Sequence, residues 1–308
     1  MNQDSNTQQL PERKLRSQKE RMWNTFLRNR PAILGLFLVA IVILTAVFAD
    51  NWFIALPAGQ QPEPLLAIHD PLKQDARNRL AAPSKEHIMG LDSYGRDIWA
   101  RIVYGARVSL SVGLGSVLLG GLMGTFMGLM AGYTGGKVEN VIMRAVDVLM
   151  AFPSLIMGLM VLAVLGSGLG KMILAIGLVL SPTFARVAHS ATLTIKENEF
   201  VHAAIAVGSG RMRILRMHIL PNILGEMVVL GSIWTATAIR VEANLSFIGL
   251  GISPPTPAWG SMIRDGTPYL RDAFWVSFFP GMAILVAVLG FNLLGDGLRD
   301  VLDPRLQQ

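Results

Sequence analysis

Six apolar runs, at residues 31–49, 108–131, 148–165, 172–185, 223–239 and 274–295, alternate with polar stretches along the chain. A helix that crosses a bilayer needs about 20 mainly apolar residues, so the pattern predicts an all-α membrane protein with six transmembrane helices. The fourth run is short and is interrupted by Pro182. Residues 1–30 read as an uncleaved cytoplasmic tail, because their charged region is too long for a signal peptide and no small-residue cleavage site follows it. Residues 50–107, rich in proline, predict an external loop that closes with an amphipathic interfacial helix carrying Trp99 and Tyr104. Residues 297–308 form a second cytoplasmic tail on this reading.

The polar stretch with the most structure in its pattern is 199–222, EFVHAAIAVGSGRMRILRMHILPN. Its Glu199, Arg211, Arg213 and Arg216 keep it out of hydrocarbon, so it belongs at a membrane surface. Asn198 is a suitable N-cap, and Glu199 falls in the first turn, where a negative charge suits the helix dipole. Phe200, Val201, Ala204, Ile205 and Val207 lie close to one helical face, and Gly208 and Gly210 offer a stop. A second amphipathic piece sets Met212, Leu215 and Ile219 against the arginines, until Pro221 opens the next apolar run. Two short helices at an angle result, with the small Ala203 and Ala204 where a partner can dock closely.

Within the second apolar run, Gly120, Gly124, Gly128 and Gly132 recur every fourth residue. This spacing makes a smooth helix-packing ridge where another helix can approach backbone to backbone. Charged residues at the apolar runs, Glu226, Arg240, Glu242 and Asp296, all stand near span ends, where snorkelling or local pairing accounts for them. His69 and His87 lie in the external loop and read as solvated, not as metal ligands. No substrate-binding residue can be chosen from the pattern.

Composition agrees with the hydropathy pattern. Mean hydropathy is +0.46, 52% of residues are hydrophobic and 16% are charged. The net charge of +6 reflects topology and anionic headgroups more than nucleic acid, which is not an expected partner. With a cytoplasmic N-terminus, and leaving Arg240 at a span end aside, Lys and Arg number sixteen on the inner side and ten on the outer. The chain has no cysteine, so disulfides and thiolate metal sites are excluded. The glycine-rich GSGLGK at 166–171 fails as a phosphate-binding loop, since Leu165 and Met172 stand where glycine and Ser or Thr are needed. Neither a Gly-x-Ser-x-Gly elbow nor a His-Glu-x-x-His pair occurs. An enzyme is therefore not expected, and no cofactor is called for. An ion-coupled secondary transporter is the rival class, but it should show internal repeats with broken helices and mid-membrane carboxylates, and neither is evident.

Ala203-Ala204, then Gly208, then Leu220-Pro221 match the spacing of the "EAA" loop of permease subunits in binding-protein-dependent ABC importers. His202 stands where that motif has its leading Glu, with Glu199 three residues earlier. The run from His87 to Arg107, the Pro-rich segment 245–260 and the ending from Asn292 to Pro304 resemble the second, "C"-type permease of the dipeptide, oligopeptide and nickel group. The resemblance spans about residues 30–305. It implies a type I importer fold with its transmembrane core at 108–296, in a bacterial inner membrane. It further implies that Glu199, His202, Ala203, Ala204, Gly208, Leu220 and Pro221 form the ATPase-coupling loop. The implied partners are a second, homologous permease, two ATPase subunits and an external solute-binding protein. Peptides are the implied cargo, with nickel, glutathione or another small solute as alternatives.

Overall fold

The computed structural model describes residues 26–50 and 64–302. Most of the N-terminal tail, the stretch 51–63 and the last six residues lie outside the described residues. The described elements are helices: α1 (Arg30–Val47), α2 (Ile98–Thr134), α3 (Gly136–Met150), α4 (Ser154–Leu165), α5 (Leu169–Lys196), α6 (Glu199–Ala206), α7 (Arg211–Ile214), α8 (Leu220–Ile248), α9 (Trp259–Gly266) and α10 (Trp275–Leu302). No strand occurs among the described residues, only two isolated antiparallel bridges. Five helical segments are long and apolar enough to cross a membrane, and α3 with α4, bent by 94° at a short break, makes a sixth.

Helix extents differ from the hydropathy pattern wherever polar groups find local partners. The stretch 98–107 is not a separate interfacial helix. It opens α2, which at 37 residues is roughly 55 Å long. Asp97 caps this helix by accepting the Ala100 N–H at 2.7 Å. Arg101 lies 3.6 Å from Asp92, and Arg107 pairs with Asp50 at 3.0 Å, so neither charge interrupts the helix. The third span is not one straight helix, because it breaks at 151–153, where Pro153 disfavours a helical Phe152 and supplies no N–H. The fourth is longer than its apolar run, reaching Lys196, and Pro182 lies inside it. Proline there leaves the Leu178 carbonyl without its helical donor, and the Ser181 hydroxyl fills that place at 3.0 Å. The segment 245–260 begins as helix and stops at Gly249, whose φ of 101° is open to glycine. Helix α10 also continues past 296, so the C-terminal tail starts as helix.

Close packing is carried by glycine. The ridge on α2 faces α5. A methyl group at Gly120 would stand 2.6 Å from the Gly177 carbonyl, one at Gly132 2.9 Å from Thr192 Cβ, and those at Gly124 and Gly128 would overlap the Ser181 and Ala185 carbonyls. Gly35 of α1 likewise meets the α10 backbone at Leu293 and Leu294. Two core clusters result. One gathers Leu129, Met172, Leu180, Phe184, Ile214 and Ile219 where α2, α5 and the 211–219 segment meet. The other joins α1, α2, α9 and α10 around Trp259, whose indole donates to the Ile102 carbonyl at 3.0 Å. Away from the ridge, α2 turns Leu114, Leu118, Leu122 and Phe126 outward, as a lipid-facing surface requires.

Candidate functional site

The segment 199–222 is anchored by four buried side chains, Val201, Ile214, Leu215 and Ile219. After α5 ends, Asn198 occupies the N-cap position of α6 in an extended conformation, although its side chain makes no capping bond. Val201, Ile214 and Ile219 are all buried and join the core cluster that includes Leu129 and Phe184. The apolar residues of α6 do not share one buried face. Val201 is buried and Ala204 is partly so, whereas Phe200, Ile205 and Val207 are exposed. In the second piece Ile214 and Leu215 point inward, and Met212 is exposed. A period-based reading assumed that each apolar residue goes inside; here much of the apolar surface is left outward.

Gly208 closes α6. Its φ is +83°, its N–H bonds to the Ile205 carbonyl, and the Ser209 N–H reaches back to the Ala204 carbonyl at 3.0 Å. Those two bonds make a Schellman stop, which satisfies two end carbonyls and favours glycine at the left-handed position. A methyl group there would meet nothing within 4 Å, so the position is constrained by backbone conformation alone. Downstream, Leu215–Ile219 forms one turn of π-helix, with the Leu220 N–H bonding to the Leu215 carbonyl. This wider turn passes directly into α8, with Pro221 in its first turn, where proline's missing N–H matters least. The Asn222 side-chain amide donates back to the His218 carbonyl.

Facing outward from this segment are Glu199, His202, Ala203 and Pro221. Leu220 is partly buried against the core. His202 stands 4.0 Å from Glu197, with both side chains exposed, so this contact contributes little. The Phe200 and His218 rings lie 6.3 Å apart and link the two halves of the segment.

Beside it, two polar contacts join α3 to α5. Arg186 meets Asp147 at 2.6 Å, and His189 meets Glu139 at 2.8 Å. Arg186, Ser190 and Thr194 on α5 and Glu226 on α8 line a hollow of about 460 Å³. Glu226 therefore faces an open polar space. Arg240 is exposed and bonds to Thr237 at 3.0 Å, and Asp296 is exposed. Glu242 departs from the span-end reading. It is fully buried, receives the Ser109 hydroxyl at 3.1 Å and the Ser246 hydroxyl at 2.8 Å, and cannot snorkel. Ser246, four residues on, was visible in the sequence; Ser109 belongs to another helix and was not.

The segment 64–97 is also held by more internal contacts than a solvated loop would be. Asp92 pairs with Arg96 at 2.7 Å, Trp99 donates to the Leu66 carbonyl, and Arg101 donates to the Pro71 carbonyl. His69 and His87, read as solvated, lie with ring centroids 4.9 Å apart and converge on Asp97. Their separation in sequence carried no metal-ligand spacing, so only folding brings them together.

The comparisons with known proteins agree with this architecture. The profile of the binding-protein-dependent transport system inner membrane component matches residues 124–308, and that of the N-terminal TM domain of oligopeptide transport permease C matches residues 17–83. A dipeptide transport system permease protein, DppC, of Alkalihalophilus pseudofirmus is 41% identical over 280 residues, covering 91% of this chain and 88% of the relative. The glutathione transport system permease protein GsiD of Pectobacterium atrosepticum is 38% identical, covering 97% and 95%. Among solved structures, the inward-facing MetNI methionine ABC transporter superposes with a TM-score of 0.55 at 19% identity, covering 66% of this chain and 97% of that one. That likeness establishes the type I importer permease fold. With one profile matching more than half of the chain, the other its N-terminal part, and relatives at about 40% identity over some nine-tenths of it, the chain belongs to the inner membrane permeases of binding-protein-dependent ABC transport systems, in their DppC/OppC-like branch.

Proposed function

We propose that the chain forms one half of a translocation pathway for di- or oligopeptides and couples it, through residues 199–222, to a separate ATPase subunit. The observation that carries this reading is the construction of the segment. Val201, Ile214 and Ile219 fasten it to the bundle while Phe200, Ala203, Ile205 and Val207 are left exposed. An exposed apolar patch on a membrane-surface segment suits a protein partner. In this arrangement the piece from Arg211 passes into α8 through a continuous helical turn, and the short Gly208 stop joins it to α6, so a push on α6 reaches α8 across that one turn. The full assembly holds a second homologous permease, two ATPases and an external binding protein, with both termini of this chain cytoplasmic. The polar hollow lined by Arg186 and Glu226 supplies part of the pathway wall near the coupling segment. Peptide cargo follows the names of the relatives, one of which is a glutathione permease, glutathione being itself a short peptide.

The test is copurification. The chain is coexpressed with its candidate permease and ATPase subunits, and vanadate-sensitive ATPase activity is assayed in the material captured on a tag. Ala203→Arg is the decisive variant, because Ala203 is exposed; Ala204 is partly buried, so Ala204→Arg also disturbs packing. Loss of the ATPase from an otherwise intact Ala203→Arg chain supports the reading. Unchanged capture and activity would refute it, and transport by the chain alone under an ion gradient would favour a secondary carrier.

A further inference from the structure

The external segment holds a second, chemically distinct constellation. Asp97 is nearly buried and its two oxygens are divided in role: Oδ1 caps α2 by accepting the Ala100 N–H, while Oδ2 is turned toward two imidazoles. His87 Nδ1 stands 2.8 Å from Oδ2 and His69 Nδ1 stands 3.7 Å from it, beyond hydrogen-bond distance. One ligand atom from each of the three residues lies within 4.8 Å of the others. The two histidines keep partial exposure, so an ion has a way in.

His87 has a sufficient local role, since it bonds to the residue that caps α2. His69 has none of that kind. Its position is nevertheless enforced: the preceding Ile68 has a φ of +61°, and the His69 N–H bonds to the Ala67 carbonyl at 2.6 Å. This is a tight turn of the strained hand with a β-branched residue at its centre. The turn brings His69 to Asp97. The cavity here, about 130 Å³, is also lined by Asp75 and Glu86, with Lys73 as the one opposing charge among its lining residues. The Asn78 side-chain amide, donating to Asp75, holds its carboxyl below the ordinary value.

We propose that His69, His87 and Asp97 bind one divalent transition-metal ion of the zinc kind, clipping the external segment to the start of α2. Two imidazoles and a carboxylate form a ligand set suited to such ions, with the remaining positions left to water. Metal–ligand bonds of about 2.1 Å at tetrahedral angles set ligand atoms roughly 3.4 Å apart. His87 has to retreat from Asp97 by about half an ångström, His69 to approach it by less, and the two imidazole nitrogens, which lie within 4.8 Å, to close to the same spacing, a shift of at most about 1.4 Å. The second contact of Asp97, to the Ala100 N–H, orients the carboxylate as outer partners of metal ligands do. The proposal is independent of the coupling segment and of the cargo.

The experiment titrates Zn²⁺ alone into the tag-free full chain in lipid nanodiscs against a chelating indicator, and repeats it with Co²⁺ to read the visible absorption. The chain has five histidines, and His189, His202 and His218 lie on other segments. Wild type takes up one ion, and Zn²⁺ raises its unfolding temperature. His69→Ala leaves the His87–Asp97 bond in place, so it folds in EDTA as wild type does. It lowers affinity at least about tenfold and abolishes the thermal shift. His202→Ala changes neither. His87→Gln serves as a second ligand variant. The proposal is overturned if wild type takes up no ion at micromolar Zn²⁺, or if His69→Ala binds as tightly as wild type.

Discussion

Replacing Gly124 with alanine tests whether the α2 ridge is a packing surface or a consequence of membrane composition. The added methyl would stand 2.6 Å from Phe184 Cβ and overlap the Ser181 carbonyl. Ordinary van der Waals contact begins near 3.4 Å, so α2 and α5 must separate by roughly 1 Å at the tightest point of their interface. Overpacking of this kind costs about 1–3 kcal/mol. Against it stands the gain of alanine over glycine in a helix, about 0.5–1 kcal/mol. The net expectation is a loss of about 1–2 kcal/mol. Gly121, three residues earlier, supplies the control, because its methyl would stand 3.5 Å from the nearest Phe184 atom, an ordinary contact. Gly121→Ala therefore retains the helical gain and is neutral to slightly stabilising. Thermal unfolding of both variants in one detergent, at one scan rate, should separate them by several degrees. Combining Gly124→Ala with Gly128→Ala should cost less than the sum of the two, since one separation of the helices serves both sites. Gly124→Ala proving as stable as Gly121→Ala would refute the ridge argument.

Three further outcomes follow from the same geometry. Gly208→Val places a β-branched residue at a φ of +83° in open space; it costs about 1–2 kcal/mol locally, and uptake should be lost while membrane insertion and unfolding temperature stay near wild type, with Gly208→Asn milder. For Glu242, glutamine keeps an acceptor for one of the Ser109 and Ser246 hydroxyls and can donate its NH2 to the other, whose oxygen then accepts, whereas alanine leaves both without a partner in a buried site. Glu242→Gln should unfold within about 1 kcal/mol of wild type and Glu242→Ala at least about 2 kcal/mol earlier, and equal losses would refute this account. Asp92→Ala removes the carboxylate shared by the buried Arg96 and Arg101; about 3–5 kcal/mol of stability should go with it, read as protease cleavage within 64–97 that wild type resists.

The sequence by itself determined the class of the molecule, its membrane-spanning apolar segments and its family, because apolar length and glycine period are local properties that a bilayer reads directly. It also located the ridge at Gly120–Gly132 and the surface segment at 199–222, both of which are written as spacings. What it left undecided depended on groups distant in sequence. Residues 98–107, with Arg101 and Arg107, read as an interfacial helix apart from the second span, whereas Asp92 and Asp50 beside those charges let one helix run through. Pro182 shortened the apparent fourth span, yet the adjacent Ser181 hydroxyl supplies the donor that proline lacks. Phe200, Ile205 and Val207 share a helical face by period, yet they are exposed, since the spacing of apolar residues does not say which side of a helix the fold covers. Glu242 at a span end, and two histidines eighteen residues apart, had no readable role in one dimension. Tertiary structure gave them Ser109 and Asp97, because a buried polar group is defined by which partner the fold brings to it.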